Sequence, residues 1–205
     1  MRTGNRKWES VVLAAGVAAV LAVLSVVTAV REAESRPKHD PIAARVPILV
    51  VGDSLEVGTG PYLEERLGER VEVFARRGRP STEGLQVLRK RLRKRHGVVV
   101  FDLGSNDRDP WILRRNMREA RRLVRPRRCM VVATINPDRR EPLNEVIRRI
   151  AERPNVVLFD WQRLTKRRPE LLTEDGVHAT PEGYGVRARQ LIRAIRRCPV
   201  MGQRR

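Results

Sequence analysis

Pro47-Ile48-Leu49-Val50-Val51-Gly52-Asp53-Ser54-Leu55 decides how the rest of the chain is read. A run of large aliphatics, with no polar residue alternating among them, stops abruptly at Gly-Asp-Ser. Such a run reads as a strand buried on both faces, because a strand with one wet face would alternate. Gly52 and Asp53 suit a tight turn, and Leu55 to Leu67 can follow as a helix. A serine at this junction sits at the carboxyl edge of a sheet. Its hydroxyl is held rigidly near the backbone N–H groups that open the helix. That position suits a nucleophile whose intermediate carries an oxyanion. On these nine residues alone, a serine that merely caps a helix explains the pattern as well.

Outward from this stretch, strand and helix alternate. Short, valine-rich apolar runs predict strands at Val46–Val51, Val71–Ala75, Gly97–Leu103, Cys129–Ile135 and Val156–Asp160. Between them, apolar residues recur at helical spacing. Leu85, Leu88 and Leu92 form one stripe, and Leu113, Met117, Ala120 and Val124 a second. Leu143, Ile147, Ile150 and Ala151 form a third, and Tyr184, Ala188, Leu191 and Ile195 the last. Five strands alternating with helices imply an α/β domain: a parallel sheet covered on both faces, with right-handed crossovers. Ligands then bind beyond the carboxyl ends of the strands.

Four segments carry candidate chemistry, and three of them follow a predicted strand directly. They are Gly52-Asp53-Ser54-Leu55, the loop with Gly78, Gly104-Ser105-Asn106-Asp107, and Asp175-Gly176-Val177-His178. The last precedes a helix with Thr180 as N-cap and Pro181 at its first position. In a doubly wound sheet the ends of the first three strands adjoin, so Ser54, Gly78 and Asn106 can converge. Asp175 and His178 can hydrogen-bond within one loop, and an imidazole held by a carboxylate can take a serine proton. A glycine lets a backbone N–H approach an oxyanion closely. Taken singly, each piece has an ordinary reading. Gly78 and Asp175-Gly176 can be turns, Asn106 can cap a helix starting at Asp107, and His178 can be a surface residue.

As a set, these four blocks resemble those of the SGNH hydrolases, the GDSL esterase/lipase superfamily. Gly84-Leu85 also stands downstream of Gly78 at that family's spacing. The resemblance spans about residues 46–197. It implies a flavodoxin-like three-layer α/β/α domain with strand order 2-1-3-4-5. It implies Ser54 as nucleophile, His178 as general base and then acid, and Asp175 as the group orienting His178. It implies an oxyanion hole of the Ser54 and Gly78 backbone N–H groups and the Asn106 amide. Asp53 and Gly104 support these turns. No metal or organic cofactor is implied. The chain lacks the long insertions that give larger members a lid or acyl tunnel, which points to short acyl groups such as acetyl on carbohydrate.

Charged residues make up 33% of the 205, and 43 Lys+Arg against 24 Asp+Glu give +19. Arginines spread along helices favour anionic partners such as lipid headgroups or wall polymers. Aromatic content of 4% argues against a stacking platform for single-stranded nucleic acid. The run Leu88–His96 (LRKRLRKRH) reads first as the solvated face of an amphipathic helix and second as a docking patch. Cys129 and Cys198 make no Cys-x-x-Cys pair. They are either a single disulfide or two buried thiols.

Residues 11–30 are twenty residues without a charge, long enough at about 1.5 Å per residue to cross a hydrocarbon core. They exceed a signal peptide's usual apolar region and end on no Ala-x-Ala site, which favours an uncleaved membrane anchor. The sequence reading therefore divides the chain into a basic amino end (1–10), an anchor (11–30), a linker (31–45), a hydrolase domain (46–198) and a basic tail (199–205). Basic residues balance on the two sides of the anchor, and the short basic amino end favours an outward-facing domain. The expected activity is a serine esterase on small O-acyl esters of wall or surface carbohydrate. Acyl transfer to a sugar uses the same chemistry. A non-catalytic polyanion-binding domain is the rival of a different class, and the intact Ser–His–Asp–Asn set argues against it. Oligomeric state is not legible.

Overall fold

The computed structural model describes residues 46–136 and 140–199. Five strands form one sheet: β1 (Ile48–Gly52), β2 (Val71–Ala75), β3 (Val98–Asp102), β4 (Cys129–Ala133) and β5 (Val156–Phe159). Their order is β2-β1-β3-β4-β5, and every neighbouring pair is parallel. The helices are α1 (Ser54–Leu67), α2 (Ser81–Arg91), α3 (Pro110–Val124), α4 (Glu141–Ala151), α5 (Trp161–Arg167) and α6 (Pro181–Arg196).

β1 is buried along its whole length because it lies between β2 and β3 and is covered on both faces. Ile48 and Val50 point to one face and meet Leu63 of α1, Leu191 and Ile195 of α6, and Trp161. Leu49 and Val51 point to the other, with Leu88 of α2, Leu113 and Met117 of α3, and Ile147 of α4. The period of two in the strands thus feeds two cores, and the helical stripes close them. Each such side chain stabilises the fold by about 1.5–3 kcal/mol relative to exposure.

A disulfide joins Cys129, the first residue of β4, to Cys198 just beyond α6, across 69 residues of chain. Closing a loop of that length in the unfolded chain contributes about 4 kcal/mol. It ties α6 to the start of β4.

Several expectations change. The helical reading of 88–96 holds only to Arg91, since Leu92 is already extended (ψ 126°). His96 is buried rather than solvated: its Nδ1 accepts the Arg93 N–H at 3.0 Å and its Nε2 lies 2.9 Å from Glu72. The chain must turn there to enter β3, and the imidazole closes the turn. The strands end slightly earlier than the apolar runs, so Leu103 and Ile135 are buried loop residues. The short helix α5 was not legible. Its seven residues hold too few turns to show a period. Among the described residues no helix is long and apolar enough to cross a membrane. The expected anchor at 11–30 lies outside the described residues, as do residues 1–10, the linker 31–45 and residues 200–205.

Candidate active site

Asp53 caps α1: its Oδ1 accepts the Leu55 N–H at 3.0 Å, and its carbonyl accepts the Val57 N–H at 3.1 Å. Ser54 is therefore the first residue of a helix, where N–H groups have no intrahelical acceptor and the dipole favours negative charge. His178 Nε2 lies 3.0 Å from Ser54 Oγ, and His178 Nδ1 lies 2.6 Å from Asp175 Oδ2. A continuous relay runs from hydroxyl through imidazole to carboxylate across 124 residues of sequence.

The relay's loop is itself fixed. Asp175 Oδ1 accepts from Thr173 Oγ1 (2.8 Å), Val177 N (2.8 Å) and His178 N (2.9 Å). The His178 hydrogen bond, reinforced by the Val177 N–H, holds the Asp175 carboxyl far below the usual carboxylate range. Thr180 caps α6 through its Oγ1 to the Gly183 N–H at 3.1 Å, with Pro181 at the first helical position. The Thr180 N–H donates to the Leu171 carbonyl at 2.9 Å, closing the loop's base. The side chains of His178 and Asp175 remain 39% and 49% exposed, so the site is open to solvent rather than roofed.

Gly78 follows β2 at φ +70°, a conformation that side chains disfavour. Its neighbour Arg79 turns inward and donates Nη1 to the Gly52 carbonyl at 2.9 Å and to the Phe74 carbonyl. That guanidinium ties the Gly78 loop to the end of β1. Gly104 (φ +139°) turns the chain out of β3, with the Asp107 N–H on its carbonyl at 3.0 Å. Asn106 Nδ2 then lies 3.3 Å from Asp53 Oδ2 and 3.4 Å from the Arg79 carbonyl. Both contacts are long for hydrogen bonds and correspondingly weak. Ser54, Asp53, Gly78, Gly104, Asn106, Asp175 and His178 all stand at the carboxyl edge of the sheet.

A sequence profile of the GDSL-like lipase/acylhydrolase family matches residues 50–186, more than half of the chain. The chain belongs to this family. Among curated proteins none matches the sequence. Solved structures share the fold of this GDSL-family domain at low identity. The catalytic domain of peptidoglycan O-acetyltransferase A from Streptococcus pneumoniae is 14% identical, with TM-score 0.63, over 78% of this chain and 99% of that one. A GDSL-like lipase from Bacteroides thetaiotaomicron is 17% identical, with TM-score 0.60, over 76% and 90%. A family 3 carbohydrate esterase from Clostridium thermocellum is 16% identical, with TM-score 0.57, over 73% and 94%.

Several supporting residues of the GDSL-family site were not legible in sequence. Asp107 does not start a helix: α3 begins at Pro110, capped by Asp109 through the Trp111 N–H at 2.7 Å. Instead the buried Asp107 carboxylate accepts from Ser81 N (2.9 Å) and Ser81 Oγ (2.5 Å), joining the Asn106 loop to α2. Asn116 Nδ2 reinforces the joint on Ser81 Oγ at 2.8 Å. Thr134 and Asn136 are buried packing residues: Thr134 Oγ1 bonds Asp160 and Asn136 Nδ2 bonds Thr165. Trp111 stands exposed at the start of α3.

Beneath Ser54 lies a buried ion cluster. Arg187 of α6 bonds Glu56 of α1 at 3.1 Å and Asp102 at the end of β3. Its guanidinium carbon sits 5.2 and 5.1 Å from the ring centres of Phe159 and Trp161. One cation faces three acids there. Burial first, and then the Asp102 charge, pushes Glu56 well above the carboxylate range. The same two causes raise Asp53 to about 6. The sequence carried one signal for this cluster. Arg187 falls three residues after Tyr184 and four before Leu191, on the core-facing stripe. Among the described residues no group of three or more His, Cys, Asp or Glu is placed to hold a metal ion.

Proposed function

We propose that this GDSL-family domain is a serine esterase that removes small O-acyl groups, chiefly acetyl, from carbohydrate through an acyl-enzyme. The observation that carries the reading is the Ser54–His178–Asp175 relay, with both contacts at hydrogen-bond distance. Ser54 Oγ attacks the ester carbonyl as its proton passes to His178 Nε2. Ionised Asp175 holds the other ring nitrogen and stabilises the imidazolium. The carbonyl oxygen, now negative, accepts from the Ser54 N–H, the Gly78 N–H and the Asn106 amide. Collapse breaks the bond to the sugar oxygen, which leaves with the proton from Nε2. Water, deprotonated by His178, then releases the acid and restores Ser54.

The open rim supports a small acyl group on a bulky carrier, since the half-exposed loop leaves room for a polymer. The fold shared with a peptidoglycan acetyltransferase and a carbohydrate esterase is consistent with a sugar carrier. The same openness admits a sugar hydroxyl in place of water, which would make the domain a transferase. Analysis of products with a sugar acceptor present separates the two. We further propose that the domain works outside the cytosol, anchored through residues 11–30. The disulfide supports an oxidising compartment, and the uncharged stretch supports the anchor.

Hydrolysis of p-nitrophenyl acetate by the purified protein tests the chemistry. Ser54→Ala is expected to lower kcat/KM by about 10³-fold or more. Undiminished hydrolysis in that variant would remove the serine mechanism.

A further inference from the structure

The edge of the sheet opposite Ser54, where the strands begin, has a different chemistry. The loops entering β3 and β4, residues 93–96 and 125–128, carry Arg93, Lys94, Arg95, Arg125, Arg127 and Arg128 and no acidic residue. Together they wall a concavity of about 730 Å³ lined by Lys94, Arg95, His96, Gly97 and Pro126 to Arg128. The basin is built rather than incidental. Arg128 is pinned by Nε to the His96 carbonyl at 2.9 Å and by Nη2 to the Arg93 carbonyl at 3.4 Å. Buried His96 fixes one loop from within, against Glu72. Glu72 also pairs with Arg95 at 2.6 Å, so one basic group is neutralised. Lys94, Arg125 and Arg127 are exposed and have no carboxylate at ion-pair distance among the described residues.

Helix dipoles attract basic residues to the last turns of helices, and the crossover helices between parallel strands end at this edge. That explains Arg121, but not the loop residues beyond the helix ends. The described chain also begins here: Gly97 N–H bonds the Pro47 carbonyl at 3.0 Å. A linker of fifteen residues separates Val46 from the twenty uncharged residues 11–30. Fully extended, it reaches about 50 Å, so the tether permits contact with a bilayer without enforcing it.

We propose that this basin and the arginine loops around it form a docking surface for an anionic phospholipid bilayer, which holds Ser54 facing away from the lipid. The recognised chemistry is the headgroup phosphate. A single-sign cluster close to the surface suits the negative potential of such a leaflet, which decays within a Debye length. The inference stands apart from the chemistry at Ser54 and survives if the acyl reaction proves different.

Residues 40–205 form one compact unit with its own two-sided core, and this fragment removes the apolar stretch from the measurement. It should sediment with vesicles of phosphatidylcholine containing about one-third phosphatidylglycerol, not with phosphatidylcholine alone, and should be released by roughly 0.5 M salt. Neutralising Lys94→Gln, Arg125→Gln and Arg127→Gln together should lower partitioning by about a hundredfold, at about fivefold each, without changing p-nitrophenyl acetate hydrolysis. Arg114→Gln, Arg115→Gln and Arg118→Gln remove the same charge from α3 and should leave partitioning within about threefold of wild type. Equal losses from the two triple variants would mean that net charge, not this face, binds. Displacement by inorganic phosphate at about 1 mM, with circular dichroism and hydrolysis intact, would mean a soluble-phosphate site. Either result overturns the proposal, as would equal binding to both kinds of vesicle.

Discussion

The two ends of one parallel sheet treat charge in opposite ways. At the carboxyl edge, charges are partnered: Arg187 with Glu56 and Asp102 and Asp107 with Ser81 in the interior, and Asp175 with His178 at the open rim. At the amino edge, charges of one sign are held at the surface by loops that enter β3 and β4. The first arrangement fixes distances, which a proton relay needs. The second leaves a field, which attracts a partner but positions no atom. A substitution at the first end should therefore alter chemistry or folding. One at the second should alter only where the protein resides.

The largest expected effect lies at the relay. Asp175→Asn leaves a side chain of the same size but offers His178 Nδ1 no charged acceptor. It should cut kcat/KM by about 10²–10⁴-fold with little change in Tm. An unchanged rate would mean that the loop's backbone contacts alone orient the imidazole. Next comes Arg187→Met, which strands buried acids without their cation and should destabilise the fold by about 3–5 kcal/mol in urea titration. A loss near zero would show that Glu56 and Asp102 manage by sharing a proton, and the contrast between the two ends would soften.

Asp53→Asn should act on pH dependence. The folded Asp53 carboxyl titrates at about 6, above its ordinary 3.8. Its proton therefore favours the fold fully below pH 3.8, and that contribution fades as pH rises through about 6, by about 2–3 kcal/mol. The variant should flatten the stability profile across that window and equal or exceed wild type near pH 8. It should also lose activity, because Asn106 loses its charged neighbour. Denaturant melts at several pH values, paired with ester assays, check both halves. The smallest effect belongs to the far end. Arg127→Gln should leave stability within about 0.5 kcal/mol and soluble-ester hydrolysis unaltered. A larger change would mean that the basin's charges are structural after all.

How much of this was legible follows from range. The strands declared themselves because Ile48 to Val51 and Val98 to Phe101 carry no polar residue, which only double-sided burial explains. The helices on the second face declared themselves because Leu113, Met117, Ala120 and Val124 obey one period. Three of the four motif segments were legible because each follows a strand, and a parallel sheet gathers such segments at one edge; the fourth, Asp175 to His178, was legible from its own spacing ahead of a capped helix. What stayed hidden joins elements far apart in sequence. Glu56 and Arg187 are 131 residues apart, Ser81 and Asp107 are 26, and Cys129 and Cys198 are 69. Helical spacing says that Arg187 faces inward but not which acid meets it. His96 was hidden for a related reason: a histidine after a run of arginines looks solvated until the turn into β3 is known.

The separation of Ser54 from His178 has a consequence for biosynthesis. On the proposed mechanism the nucleophile Ser54 is synthesised 124 residues ahead of its base His178. A chain cut before Asp175 still contains every strand and the hydroxyl, yet it has nothing to accept the hydroxyl's proton. On that mechanism, acylating power therefore arrives only once the 175–178 loop has been made, and copies that stop short of it are inert.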